Sequence, residues 1–137
     1  MVTGIAVLGL NALAAAWGAI AWLRHDPSSF FWYVLRAAQA AVVVQAALGG
    51  VLLAQGRHAP DGLHLFYGIT PLVVSFVTEG MRAGAAQMEL AGIEDVEALE
   101  RREQVLLARR VVMREMGVMT IGCLMIVTLS LRAAMIF

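Results

Sequence analysis

Lysine is absent from this chain of 137 residues, and all ten of its basic residues are arginine. Cysteine occurs once, at Cys123 inside an apolar run, which excludes an internal disulfide and a cysteine-based zinc site. Cys123 reads as a small core residue. Charge is scarce as well: charged residues make up 15% of the chain, where a soluble domain carries about 25%. The formal net charge is zero, so no nucleic-acid partner is expected. No catalytic or metal-binding motif stands out. What is abundant is apolar: 61% of residues are hydrophobic and the mean hydropathy is +0.79. That excess needs lipid or protein to cover it, and the length suits one membrane domain over 1–137. Arginine without lysine, beside plentiful Ala and Gly, suggests a GC-rich bacterial genome and so a bacterial cytoplasmic membrane.

A helix crossing the hydrocarbon needs about 20 mostly apolar residues. Four stretches qualify, roughly 2–23, 30–54, 62–81 and 112–136, and runs of this length in lipid must be helical to satisfy their backbone. Val2 to Leu23 lacks a basic n-region and is too long for a signal-peptide core, so it reads as a retained anchor. Asp26-Pro27-Ser28-Ser29 marks a helix start, and Phe30, Phe31, Trp32 and Tyr33 follow as an interfacial aromatic belt. Gly56 can end the second helix, and Pro60-Asp61-Gly62 can open the third. The expected fold is an all-α integral membrane four-helix bundle, with spans three and four extended into a cytoplasmic helical hairpin.

Arginine placement gives the orientation. Arg24 and Arg36 flank the first connection. Arg82, Arg101, Arg102, Arg109, Arg110 and Arg114 crowd the third, against Arg57 and Arg132 on the opposite side. The positive-inside rule puts both termini outside and the charged connection, about 83–110, in the cytoplasm. Within it, Ala83 to Ala91 favours helix, Gly92 can turn the chain, and Glu94-Asp95-Val96-Glu97 is expected to open a new helix. Leu99, Leu106 and Met113 recur every seven residues, and Glu97 and Arg101 are spaced as a helical ion pair. This hairpin is either a solvated charged pair or a surface that docks a partner.

Span three sorts its side chains by face. Asp61, His64, Tyr67, Pro71, Ser75, Thr78, Glu79 and Arg82 fall within about 120° of one another at 100° per residue. Leu65, Phe66, Ile69, Val73 and Phe76 take the other side. Polar groups in hydrocarbon must turn toward protein, so the seam is expected to face the bundle. Matching faces are Gly4, Asn11, Ala15 and Gly18 in span one, and Met113, Met116, Thr120, Cys123 and Val127 in span four. In span two Arg36, Gln39, Ala40, Ala47, Gly50 and Ala54 align, while Gln45 points elsewhere. Asn11, Gln39, Ser75, Thr78, Glu79, Arg82 and Arg114 form the structural seam. Arg110, Arg114 and Glu115 are expected to meet Glu79 and Arg82 in an interhelical ion cluster. Pro71 leaves the carbonyl of Tyr67 without its helical donor.

His64 and Tyr67, with Asp61, His58 and either Gln39 or Gln45, could hold a quinone carbonyl or a haem edge. Equally, His64 lies only about 4.5 Å along the axis from the cap at Asp61, where His and Tyr sit comfortably without a ligand. Bis-histidine haem b needs two imidazoles at one depth, and His25 belongs to the other side of the membrane. That leaves His58 with His64, or His64 across a dimer. A membrane-embedded Glu in span one, which small multidrug exporters need, is missing, as are the paired cysteines of vitamin K epoxide reductases.

Gln45-Ala46-Ala47-Leu48-Gly49-Gly50, followed by His64, resembles the Q-x-x-L-G…H pattern of haem A synthases. That family has twice as many spans, and the resemblance implies haem ligation by His64. Leu63-His64-Leu65-Phe66-Tyr67-Gly68 with Arg82 resembles uncharacterised actinobacterial four-span membrane proteins, which implies the fold and no activity. The leading expectation is a non-catalytic membrane subunit packing into a homo-oligomer or larger membrane complex, among lipid and other membrane subunits. The alternatives are a redox-linked module binding haem b or quinone near the outer face, and a small-solute channel or transporter.

Overall fold

The computed structural model describes residues 2–136, which form four helices and, among the described residues, no strand. They are α1 (Val2–Leu23), α2 (Ser29–Ala54), α3 (Gly62–Leu90) and α4 (Arg101–Ile136). Local chemistry sets most of the ends. After α1 the chain turns through His25, held at φ 53, with its N–H on Trp22 O and that of Asp26 on Ala21 O. Ser28 caps α2, its hydroxyl accepting from the Phe31 N–H. At the far end Gly56 has φ 79, and the N–H groups of Gly56 and Arg57 bond back to Leu53 O and Leu52 O. That paired closure is the glycine-dependent stop of many helices. Asp61 caps α3 by accepting from the His64 N–H at 2.8 Å. Pro71 lies inside α3 without ending it.

The linker between α3 and α4 corrects one expectation. Glu94 to Glu97 do not open a helix, and α4 starts at Arg101. The Asp95 side chain accepts from the Glu97 N–H, and the Leu99 N–H bonds Val96 O, so local turns claim the groups a helix would need. Glu97 and Arg101 therefore do not share a helix, and Leu99 precedes α4. The sevenfold repeat fails with it: Leu106 is exposed, and its neighbour Leu107 is buried.

The helices pack as a ring, α1 against α2 and α4, α4 against α3, and α2 against α3 most thinly. Its tight half lies at the end where α1 turns into α2, here called the lower end. Ala14, Ala15, Ala21, Phe31, Val34, Leu35, Met116, Met119 and Cys123 form that core. Gly18 and Gly122 make the close approach possible. A Cβ on Gly18 would come within 2.6 Å of the Phe31 ring, and one on Gly122 within 2.6 Å of Thr78 Cγ2. Higher up, Val7, Val42, Val74 and Ile126 supply one residue from each helix to a single apolar layer.

Three helices, α1, α2 and α4, are long and apolar enough to cross a membrane. By the same measure α3 falls short, because His64, Tyr67, Ser75, Thr78 and Glu79 dilute its apolar residues. Its surface is nevertheless sorted, with Phe66, Ile69, Val73, Phe76 and Val77 exposed and Pro71, Val74 and Thr78 buried. The accessible surface is 8896 Å², against about 6,900 Å² for a compact folded protein of 14.7 kDa. The chain thus leaves more surface uncovered than a compact monomer of its mass, and many large hydrophobic residues on every helix are exposed.

Candidate functional site

One turn above the apolar layer, packing runs out. The residues a turn on from Val7, Val42, Val74 and Ile126 are Gly4, Gln45, Pro71 and Ser130. A glycine, a proline, a serine and an amide supply too little apolar volume to fill the axis of four helices. Two adjoining cavities open there, at the upper end where α2 turns into α3. One, about 350 Å³, is bounded by all four helices through Gly4, Leu8, Gln45, Tyr67, Pro71 and Ser130, among others. The second, about 540 Å³, lies between α2 and α3 and is walled by Gly49, Gly50, Leu53, Leu65 and Ile69, with Arg57 and His58 at its rim. Gln45, His64 and Gly68 line both. Volumes of this size are typical of small-ligand sites.

The site brings together His64, Tyr67, Gln45 and His58, and it corrects the reading of α2. Gln45 does not point elsewhere; it belongs to the inward stripe of Phe31, Val34, Leu35, Ala38 and Val42. Ala40, Ala47, Gly50 and Ala54 lie on roughly the opposite face and are exposed. The error came from taking Arg36 and Gln39 as inward markers. Both reach α3 from the flank of α2, and the Arg36 side chain remains 54% exposed. Gln39 sits at the lower end with Glu79, away from the cavities. Asp61 is spent as the α3 cap.

Two polar groups at the upper chamber have chemistry to spare. The Gln45 Oε1 is enclosed and accepts no hydrogen bond, and no bond is made by its amide nitrogen among the described residues. The Tyr67 hydroxyl accepts from Arg132 Nε at 3.0 Å, which leaves its own proton available. A guanidinium donating to a phenol oxygen polarises the O–H and makes it a stronger donor. Neither Arg132 nor Arg57 has a carboxylate partner among the described residues. The Arg132 contact leaves no trace in sequence spacing, since 65 residues separate the pair.

Haem b fits this chamber poorly. His58 and His64 both belong to the α2–α3 side. The opposing wall of the central cavity offers Gly4, Ile5, Leu8, Ser130, Ala133 and Ala134, none of which is an axial ligand. No cluster of His, Cys, Asp or Glu suited to a metal ion occurs among the described residues.

The lower half of the seam is an ion-pair lattice. Glu79 Oε1 accepts from Arg36 at 2.6 Å and from Gln39 at 2.7 Å, its Oε2 accepts from Arg82 at 2.8 Å, and Arg82 continues to Glu115 at 3.0 Å. One carboxylate thereby joins α2 and α3, and one arginine joins α3 and α4. These contacts raise the Arg82 pKa above its ordinary value, the Glu79 hydrogen bond most of all. Arg110 and Arg114 do not reach Glu79. They pair with Glu89, at 3.5 and 2.5 Å, further along α3. Sequence reasoning missed Glu89, although it lies two turns beyond Arg82 on the same face. Arg109 donates to the His25 carbonyl and so ties α4 to the α1–α2 turn. Asn11, 2% exposed, donates to Val7 O, and Thr78, 6% exposed, to Val74 O. The hydroxyl oxygens of Ser75 and Thr120 are enclosed without a partner.

Comparison with protein-family models, with curated proteins and with solved structures finds no match to the chain.

Proposed function

We propose that this chain is a non-catalytic integral membrane subunit that packs, through the free face of α2, with copies of itself or with other membrane subunits. In this reading all four helices cross a bacterial cytoplasmic membrane, both termini lie outside, and the joined ends of α3 and α4 project into the cytoplasm. The observation that carries it is the outward stripe of α2: Ala40, Ala47 and Ala54 are exposed on the side of the helix away from the bundle core. Small residues on a lipid-facing helix permit close approach by another helix, which gains packing that lipid chains do not give. As the fourth crossing, α3 turns Ser75, Thr78, Glu79 and Arg82 toward α4 and α2 and shows Phe66, Val73 and Phe76 to lipid.

The test is oligomeric state in mild detergent, read by native mass spectrometry and by cross-linking in membranes. The natural chain is expected to run as an oligomer or with membrane partners, and Ala47→Leu to run as a monomer. A natural chain that is monomeric at every concentration and recovers no partner would sink the proposal.

A second reading is favoured by the chamber itself: a redox-linked module that holds a cofactor near the outer face through Gln45, His58, His64 and Tyr67. Of haem b and quinone, the residues present suit quinone. An absorption spectrum and an organic extract of the purified protein decide it, since a colourless preparation without quinone removes this reading. A solute channel has less support, because Val7, Val42, Val74 and Ile126 lie across the axis below the chamber.

A further inference from the structure

We infer that the upper chamber is a binding site for a hydroxyl-bearing six-membered ring with a long apolar tail, and that the quinol form of an isoprenoid quinone is its natural occupant. The inference deepens the second reading, and rests on it only for the ligand's redox activity.

Three observations converge. The first is shape. The central cavity of about 350 Å³ takes a substituted ring, and the adjoining α2–α3 cavity of about 540 Å³ takes a tail. The second cavity lies where α2 and α3 pack most thinly, and beyond Val42 no residue of α2 is fully buried. A tail therefore passes sideways into the acyl chains without crossing a polar layer. Gly68 stands between the two spaces, and a Cβ placed there would meet nothing within 4 Å.

The second observation is the pair of polar ends. Gln45 lies nine residues inside the end of α2, about 13 Å down the axis, where charged groups are costly and neutral polar groups are tolerated. Its enclosed carbonyl oxygen lacks a donor, a condition that costs stability until something supplies one. The terminal amide torsion of glutamine is broad, so a small rotation turns this oxygen to the cavity wall. At the other end stands the Tyr67 phenol, polarised by Arg132. A quinol satisfies both: one hydroxyl donates to Gln45 Oε1, and the other oxygen accepts from Tyr67. A quinone carbonyl cannot supply the donor that Gln45 Oε1 lacks.

The third observation is charge. No carboxylate lines either cavity, and Asp61, which precedes α3, is engaged by the α3 backbone. A neutral ring thus enters without displacing a counter-ion.

The experiment uses the full chain in nanodiscs of zwitterionic lipid, kept reduced, with a decyl-tailed dimethoxybenzoquinol as probe. Its quinone, 5-decylresorcinol, haem b and decanol serve as comparisons. The natural chain is expected to bind the quinol at least tenfold more tightly than the quinone, and decanol not to compete. Gly68→Leu adds side-chain volume at the passage from a position where a Cβ meets nothing within 4 Å, so it is expected to weaken quinol binding at least tenfold at unchanged ligand-free melting. Gly49→Leu, also in open space, repeats the test should Gly68→Leu misfold. Gln45→Leu abolishes the preference for quinol over quinone, and Tyr67→Phe weakens both. Equal binding by the natural chain and both glycine variants overturns the inference, as does competition by decanol. Saturable binding of haem b with none of quinol also overturns it, while the redox-linked reading survives. Conversely, binding of both quinol and the redox-inert resorcinol upholds the site, and an absence of quinone from native membranes then removes the redox role alone.

Discussion

Single atoms decide where this bundle is tight and where it is open. Gly18 and Gly122 occupy positions where a methyl group would sit inside a neighbour's radius, against Phe31 and Thr78. Replacing either with Ala is expected to cost about 1–3 kcal/mol, the range for overpacking a closed core. Gly68→Ala is expected to be neutral or to gain up to about 1 kcal/mol, because the helix prefers Ala and the added methyl meets open space. Thermal unfolding of the three variants in one detergent checks the contrast, and equal losses at all three would refute it. The glycines themselves are plain in the sequence, but their two classes are not. Nothing in the spacing of Gly18 or Gly68 says whether a ring or a void faces it.

Among elements, those with strong local signals were legible in the sequence. Ser28, Gly56 and Asp61 mark helix ends through their own hydrogen bonds or φ, and all three act there. The start of α4 was not, because acids that suit a helix's first turn suit an Asx turn as well, and Asp95 takes the turn. Nor was the inward face of α2. Arg36 is long enough to reach Glu79 from a flank, so its polarity says little about which side of its helix is buried. That misreading turned Gln45, already a candidate by residue type, away from the chamber that it lines. The Glu79 lattice yields a prediction here. Glu79→Gln is expected to cost about 1–2 kcal/mol, less than for a fully buried charge pair, since the side chain is 27% exposed. A double-mutant cycle with Arg82→Met should show coupling, whereas additive losses would mean the lattice is ornamental. Arg110→Ala and Arg114→Ala, which act on Glu89 instead, should add independently to either change.

For the molecule as a whole, the four helices were legible from hydropathy, because an apolar run of about 20 residues reads as helix. The chamber was not, because it arises from four residues far apart in the chain, Gly4, Gln45, Pro71 and Ser130, that meet only when the helices are set side by side. The proposed orientation makes a direct prediction. Arg57→Cys is expected to react with a membrane-impermeant maleimide on intact cells, and Asp95→Cys only after permeabilisation. The reverse pattern would invert the assignment of both ends.

Cys123 makes such labelling unusually clean. It is 3% exposed and packed with Met116, Met119 and Phe31 in the tightest part of the bundle. The native chain therefore shows no thiol to solvent, and an engineered cysteine is read against a blank background. When Cys123 itself begins to react, the lower core has come apart, so the chain carries its own gauge of unfolding.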